Sequence, residues 1–132
     1  MFNIFSSSNY RNTIIFYNKG TQKKLNLLNQ KGIKLIKLPV NNNNFFDLKL
    51  VLQEIYSLGC RNLLVEGGKN LTNSFLKNKL FNQFYLFKSP IKLGSAGKIN
   101  ISSQLHTLPF IYKNKTKLNS FTGKDIIYLY SK

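Results

Sequence analysis

Short β-branched and aromatic runs alternate with stretches of helical apolar spacing along roughly the first eighty residues. No other feature constrains the fold as much. Residues 13–17 (T-I-I-F-Y) read as a buried strand, ended by Asn18, Lys19 and Gly20. Thr21 is placed to cap a helix over 22–30, with Leu25 and Leu28 inward and a close near Gly32. Residues 33–38 alternate Ile33 and Leu35 with outward Lys34 and Lys37, which predicts a second strand. A polar loop over 39–44 carries the asparagine run. Asp47 then caps a helix that ends at Gly59. Leu48, Val51, Leu52, Ile55 and Leu58 fall at three- and four-residue spacing, an amphipathic stripe. Residues 62–65 predict a third strand, and 69–80 a third helix with Leu71, Phe75 and Leu76 inward. Strands joined by single helices of this length pair in parallel.

The texture then changes. Residues 84–87 predict a strand stopped by Ser89 and Pro90, and 109–112, 117–121 and 125–130 read as short alternating strands with turns between them. The expected architecture is α/β: a mostly parallel central sheet flanked by helices, with antiparallel C-terminal strands. A chain of 132 residues, 42% hydrophobic and 14% aromatic, can bury a core and predicts a single domain over residues 1–132.

The formal charge of +16 invites a nucleic-acid reading. The cations argue against it: 18 Lys against two Arg, spread along the chain, where base readers favour the planar guanidinium. The Lys, Asn and Ile excess reads as A/T-rich coding drift, and the charge favours anionic metabolites and dinucleotides in general. No apolar run approaches the ~18 residues of a membrane span. Residues 1–10, with Phe2, Ile4 and Phe5, read as part of a fold and not as a secretory leader. The single cysteine, Cys60, excludes an internal disulfide and fits a reducing cytoplasm.

One of only four acidic residues, Glu66, stands between an apolar run and two glycines, Gly67 and Gly68. In a parallel sheet, ligands bind at the carboxyl ends of strands. Glycines let a backbone approach a ligand closely, and a following helix aims its first amides and its dipole at an anion. Lys69 adds charge there, and Thr72 and Ser74 add hydroxyls. The alternative is an ordinary turn with a solvated glutamate. The pattern is neither a G-x-G-x-x-G dinucleotide motif nor a P-loop.

The stretch V-E-G-G-K-N-L-T-N-S-F-L (65–76), continued by K-N-K-L-F-N-Q-F-Y-L-F-K-S-P-I-K-L-G (77–94), resembles the reductase domain of the bifunctional riboflavin-biosynthesis deaminase/reductase. G-I-K-L-I-K-L-P, D-L-K-L-V-L-Q-E-I and the closing G-K-D-I-I-Y-L-Y support it, so the likeness covers nearly the whole chain. The resemblance implies a dihydrofolate-reductase-like fold. It implies NADPH-dependent reduction of 5-amino-6-(5-phosphoribosylamino)uracil to its ribitylamino form, the hydride chemistry belonging to the cofactor. By the same resemblance Glu66 binds substrate. Gly67, Gly68, Lys69, Asn70, Leu71, Thr72, Asn73 and Ser74 contact NADPH, and the Gly67–Gly68 peptide bond is expected in cis.

The chain departs from that pattern in two places. Phe81-Asn82-Gln83-Phe84 stands where the family carries Asp-Glu in a Val-Asp-Glu-Leu-like stretch, and these positions read as structural. The family's opening strand, helix and strand find no match, so the chain is expected to be an N-terminally truncated domain. The deaminase's H-x-E and C-x-x-C are absent, and the single histidine, His106, reads as a surface residue with no metal role. The expected partners are the phosphorylated pyrimidine and a second copy (a homodimer) or a missing N-terminal half, with no nucleic acid and no membrane. The alternatives are a catalytically inactive binding or assembly module of the same fold and, further off, a basic nucleic-acid-binding domain. Dihydrofolate reductase proper fits less well.

Overall fold

The structure is a computed structural model, and it describes residues 12–91, 94, 105–119 and 123–132. The expectations for residues 1–10, Lys92, Leu93 and Phe121 lie outside these residues. The chain divides into two compact units, Met1–Leu63 and Leu64–Lys132.

In the first unit β1 (Ile14–Tyr17), α1 (Gln22–Gln30), β2 (Lys34–Lys37) and α2 (Leu48–Ser57) follow the expected order. β1 and β2 pair in parallel, from Ile14 opposite Lys34 to Tyr17 opposite Lys37. The buried residues flank β2: Ile33 enters it and Leu38 leaves it, the latter's carbonyl accepting from Asn18 Nδ2 at 2.9 Å. Thr21 stands at the N-cap of α1 with extended backbone, but its hydroxyl makes no capping bond. Asp47 does cap α2, accepting from the Lys49 N–H at 2.8 Å. Gly59 takes φ +87, and its N–H and that of Cys60 donate to Tyr56 and Ile55. This left-handed close satisfies the last carbonyls of α2, and a side chain there would be strained. The asparagine run is an ordered turn, in which Asn41 Oδ1 accepts from the N–H of Asn43 and of Phe45.

In the second unit α3 (Lys69–Lys77) precedes β3 (Gln83–Lys88). A single-turn helix, α4 (Leu108–Ile111), precedes β4 (Asn114–Leu118) and β5 (Ile126–Ser131). The sheet order is β3-β5-β4, antiparallel throughout. Phe84 pairs with Tyr130 and Leu86 with Tyr128, which puts these four on one face. That face packs on Leu76 of α3 and on Leu108 and Tyr112 around α4. The Tyr112 hydroxyl donates to the Phe81 carbonyl at 3.1 Å, and Phe81 stacks on Phe75 with centroids 4.9 Å apart. Phe81 and Phe84 therefore pack against the core of this unit, while Asn82 and Gln83 between them are exposed.

Three expectations fail. Residues 62–65 form no strand: Leu63 is 46% and Leu64 79% exposed, and no backbone among the described residues pairs with them. A strand exists only by its ladder, so an apolar run without a partner stays irregular. The fold is therefore mixed α/β, with one parallel pair and one antiparallel sheet among the described residues, and no mostly parallel central sheet. Residues 109–112, expected as a strand, belong to α4 and its end. Proline at the start of a helix has its φ preset and needs no N–H, and Leu108 and Tyr112, four apart, reach the same core. Finally, α3 ends at Lys77 and not at Leu80. Lys79 takes φ +53, and the N–H groups of Lys79 and Leu80 donate back to Leu76 and Phe75.

Candidate functional site

The Glu66–Ser74 stretch is a turn running into α3, all within the second unit. Gly68 is the N-cap, at φ −74 and ψ −177, an extended conformation open to any residue. No cis peptide bond occurs among the described residues, so Gly67–Gly68 is trans, contrary to expectation; the extended torsions of Gly68 bring the chain into the helix without a cis bond.

The two glycines are there for different reasons. A Cβ on Gly67 would lie 2.7 Å from Leu71 Cδ2 and 3.0 Å from Leu71 Cβ, so the first turn of α3 folds over it. A Cβ on Gly68 would meet nothing within 4 Å. Neither torsion nor internal packing accounts for a glycine at Gly68. A third component that must come close to the backbone would.

The helix start is also bare. Gly68 has no side chain to cap with, and no acidic residue lies in the first turn. The N–H groups of Lys69, Asn70 and Leu71 find no acceptor among the described residues, and the first bond back is Thr72 N–H to the Gly68 carbonyl at 3.1 Å. Unfilled amides, the positive end of the helix dipole and an exposed Lys69 form an anion cradle. Glu66 is exposed and has no hydrogen-bond or ion-pair partner among the described residues, so its carboxylate is free to meet a ligand.

The predicted stretch does not act as one surface. Glu66 to Leu71 are exposed, Leu71 at 38% despite the expectation that it faces inward. Thr72, Asn73 and Ser74 are half-buried. The Thr72 hydroxyl reaches the Gly67 carbonyl at 3.4 Å, and the Ser74 hydroxyl donates to the Asn70 carbonyl at 2.9 Å. These hydroxyls are turned to their own helix. Asn73 Oδ1 is buried with no hydrogen-bond partner. Asn73 also borders, with Leu76, Lys77, Lys79, Thr107 and Ile111, an open groove of about 430 Å³.

His106 is exposed, and no group of side chains among the described residues could hold a metal ion. No helix among them is long and apolar enough to cross a membrane.

A family model described as the RibD C-terminal domain matches residues 3–123. The chain belongs to this family. It is also similar to the riboflavin biosynthesis protein RibD of Aquifex aeolicus (strain VF5), 28% identical over 121 residues. That alignment covers 89% of this chain and 32% of the relative, so the chain spans about a third of the relative's length. The family match runs through both units, and the Glu-Gly-Gly turn lies inside it.

Proposed function

We propose that this chain is an NADPH-dependent reductase domain of riboflavin biosynthesis that acts on 5-amino-6-(5-phosphoribosylamino)uracil. The observation that carries the reading is Gly68, a glycine with ordinary torsions and open space where a side chain would stand, at a helix start with unfilled amides. Membership of the RibD C-terminal domain family supports the reductase class. The reading includes a dihydrofolate-reductase-like fold and a single domain, because one family match spans both units. It also includes a cytoplasmic setting.

In this reading the first amides of α3 bind a phosphate of the dinucleotide, and Lys69 adds long-range attraction. Gly67 and Gly68 keep the backbone accessible. Glu66 accepts a hydrogen bond from the pyrimidine substrate and orients it. NADPH supplies the hydride when bound. Thr72 and Ser74 hold the turn and the helix start through their bonds to the Gly67 and Asn70 carbonyls.

The exposed Leu63 and Leu64 favour a second reading, an assembly module without turnover that completes its strand against a second copy or an N-terminal half. Fluorescence titration of the full chain with NADPH separates the two, with Glu66→Gln and Gly68→Val measured alongside. The reductase reading expects saturable binding, lost at least tenfold in Gly68→Val and largely kept in Glu66→Gln. A folded wild-type chain that does not bind, or Gly68→Val binding like wild type, would overturn the cofactor assignment.

A further inference from the structure

The antiparallel sheet of the second unit has two edges, and they are built differently. The Lys132 N–H donates to the Asn82 carbonyl at 3.4 Å, so Asn82 and Lys132 are a hydrogen-bonded pair that continues the β3–β5 ladder. Such pairs recur at every second residue of an antiparallel ladder. Phe84, Leu86 and Lys88 therefore bond to Tyr130, Tyr128 and Ile126 of β5. Gln83, Tyr85 and Phe87 turn their N–H and C=O groups to the open side, where none finds a backbone partner among the described residues. By the same alternation Ser131, Leu129 and Ile127 bond to β4, and the residues whose backbone groups face its open side are Lys115 and Lys117.

The β4 edge is guarded. Antiparallel pairing of two β4 strands sets Lys115 and Lys117 against their own kind, and like charges directly opposite are destabilising. The β3 edge has no such guard. It carries no charge from Gln83 to Phe87, and Tyr85 and Phe87 are 47% and 63% exposed. An unpaired, aromatic edge of six residues is a template for a further strand. One antiparallel register pairs all three outward residues with one another: Gln83 opposite Phe87 of a second copy, and Tyr85 opposite Tyr85. It sets Phe84 against Leu86 on the core side and Lys88 against Asn82, so no like charges meet. The edge is thus complementary to itself, as a two-fold contact requires.

We propose that two copies of this chain join through β3, antiparallel about a two-fold axis at Tyr85, into one continuous sheet that ends in a lysine-bearing β4 edge on each side. The contact uses neither the Glu66 carboxylate nor the start of α3, so it does not depend on the cofactor reading. The net charge of +16 opposes the approach of two copies, and salt screens that repulsion.

The test is sedimentation equilibrium of the full chain over a concentration series, with amide hydrogen exchange on the same samples. A monomer–dimer equilibrium is expected, tighter as salt is raised. Exchange at Gln83, Tyr85 and Phe87 should slow by about tenfold from the dilute to the concentrated sample, while Lys115 and Lys117 stay fast. Tyr85→Lys and Tyr85→Glu each put like charges across the axis at an exposed side chain. Each should keep the wild-type circular dichroism and sediment as a monomer, and the two mixed should restore a one-to-one dimer. A chain that is monomeric at every concentration, a dimer that survives Tyr85→Lys, or a mixture that does not pair would refute the contact. Protection at Gln83, Tyr85 and Phe87 that does not change with concentration would mean that another part of the same chain covers this edge, and would overturn the second copy as its partner.

Discussion

The asymmetry of the glycine pair makes a quantitative prediction that separates folding from binding. Replacing Gly67 by alanine puts a methyl group 2.7 Å from Leu71 Cδ2 and 3.0 Å from Leu71 Cβ. The Cδ2 contact can be relieved by rotating a half-exposed side chain. The Cβ contact cannot, because Leu71 Cβ is fixed to the helix, so the first turn of α3 must shift. Overpacking of this kind costs about 1–3 kcal/mol. The same change at Gly68 meets open space at torsions that alanine accepts. It should leave stability unchanged or raise it by about 0.4–1 kcal/mol, by restricting the unfolded chain. Urea unfolding followed by circular dichroism should then show a lower midpoint for Gly67→Ala, by on the order of 1 M, and none for Gly68→Ala. In a Leu71→Gly background the Gly67→Ala cost should largely vanish, since the Cβ it strikes is gone; this coupling is the sharper check. Equal destabilisation by the two alanines, or a Gly67→Ala cost that persists unchanged without the Leu71 side chain, would show the reasoning to be wrong.

The remaining predictions concern the elements that hold this turn and the core. Burial raises the Tyr112 hydroxyl pKa above the ordinary tyrosine value. The folded state therefore keeps its proton where the unfolded chain loses it, so the contribution to stability is full below about pH 10 and falls as pH rises through the folded pKa. Tyr112→Phe should cost about 0.5–1.5 kcal/mol at neutral pH through the lost bond to Phe81, and should flatten the alkaline fall in thermal midpoint. An unchanged alkaline limb would assign that fall to other groups. Asp47→Ala removes the bond to the Lys49 N–H and should cost about 0.5–2 kcal/mol in denaturant unfolding, with Asp47→Asn largely retaining it. Leu108→Ala opens a cavity at a side chain with no exposure and should cost about 2–5 kcal/mol; a value below 1 would mean that α4 does not contribute to the core.

What the sequence determined by itself is whatever depends on neighbours a few residues away. The stripe from Leu48 to Leu58, the Asp47 cap and the left-handed close at Gly59 were legible because a helix is satisfied within its own segment. β1, β2, β3 and β5 were legible to within a residue or two of their ends from alternation and bounding turns. β4 begins earlier than its apolar pattern predicted, at Asn114, because its register is set by β5. The Glu-Gly-Gly turn was legible as a turn before a helix, and its family followed from the residues around it.

Tertiary structure decided the rest. Leu63 and Leu64 have a strand's composition, but composition does not supply a ladder partner. Residues 108–111 have apolar and aromatic content that suits strand or short helix, and Pro109 together with the burial of Leu108 and Tyr112 selects helix. Gly67 and Gly68 are identical in sequence, and only the position of Leu71 distinguishes a glycine required by packing from one that leaves space for a ligand. Asn73 reads as one polar residue in a polar stretch until the fold buries its Oδ1 with no hydrogen-bond partner. The physical reason is common to all four. Periodicity and caps are local, whereas ladder partners, close contacts and unfilled hydrogen bonds depend on atoms brought together by folding.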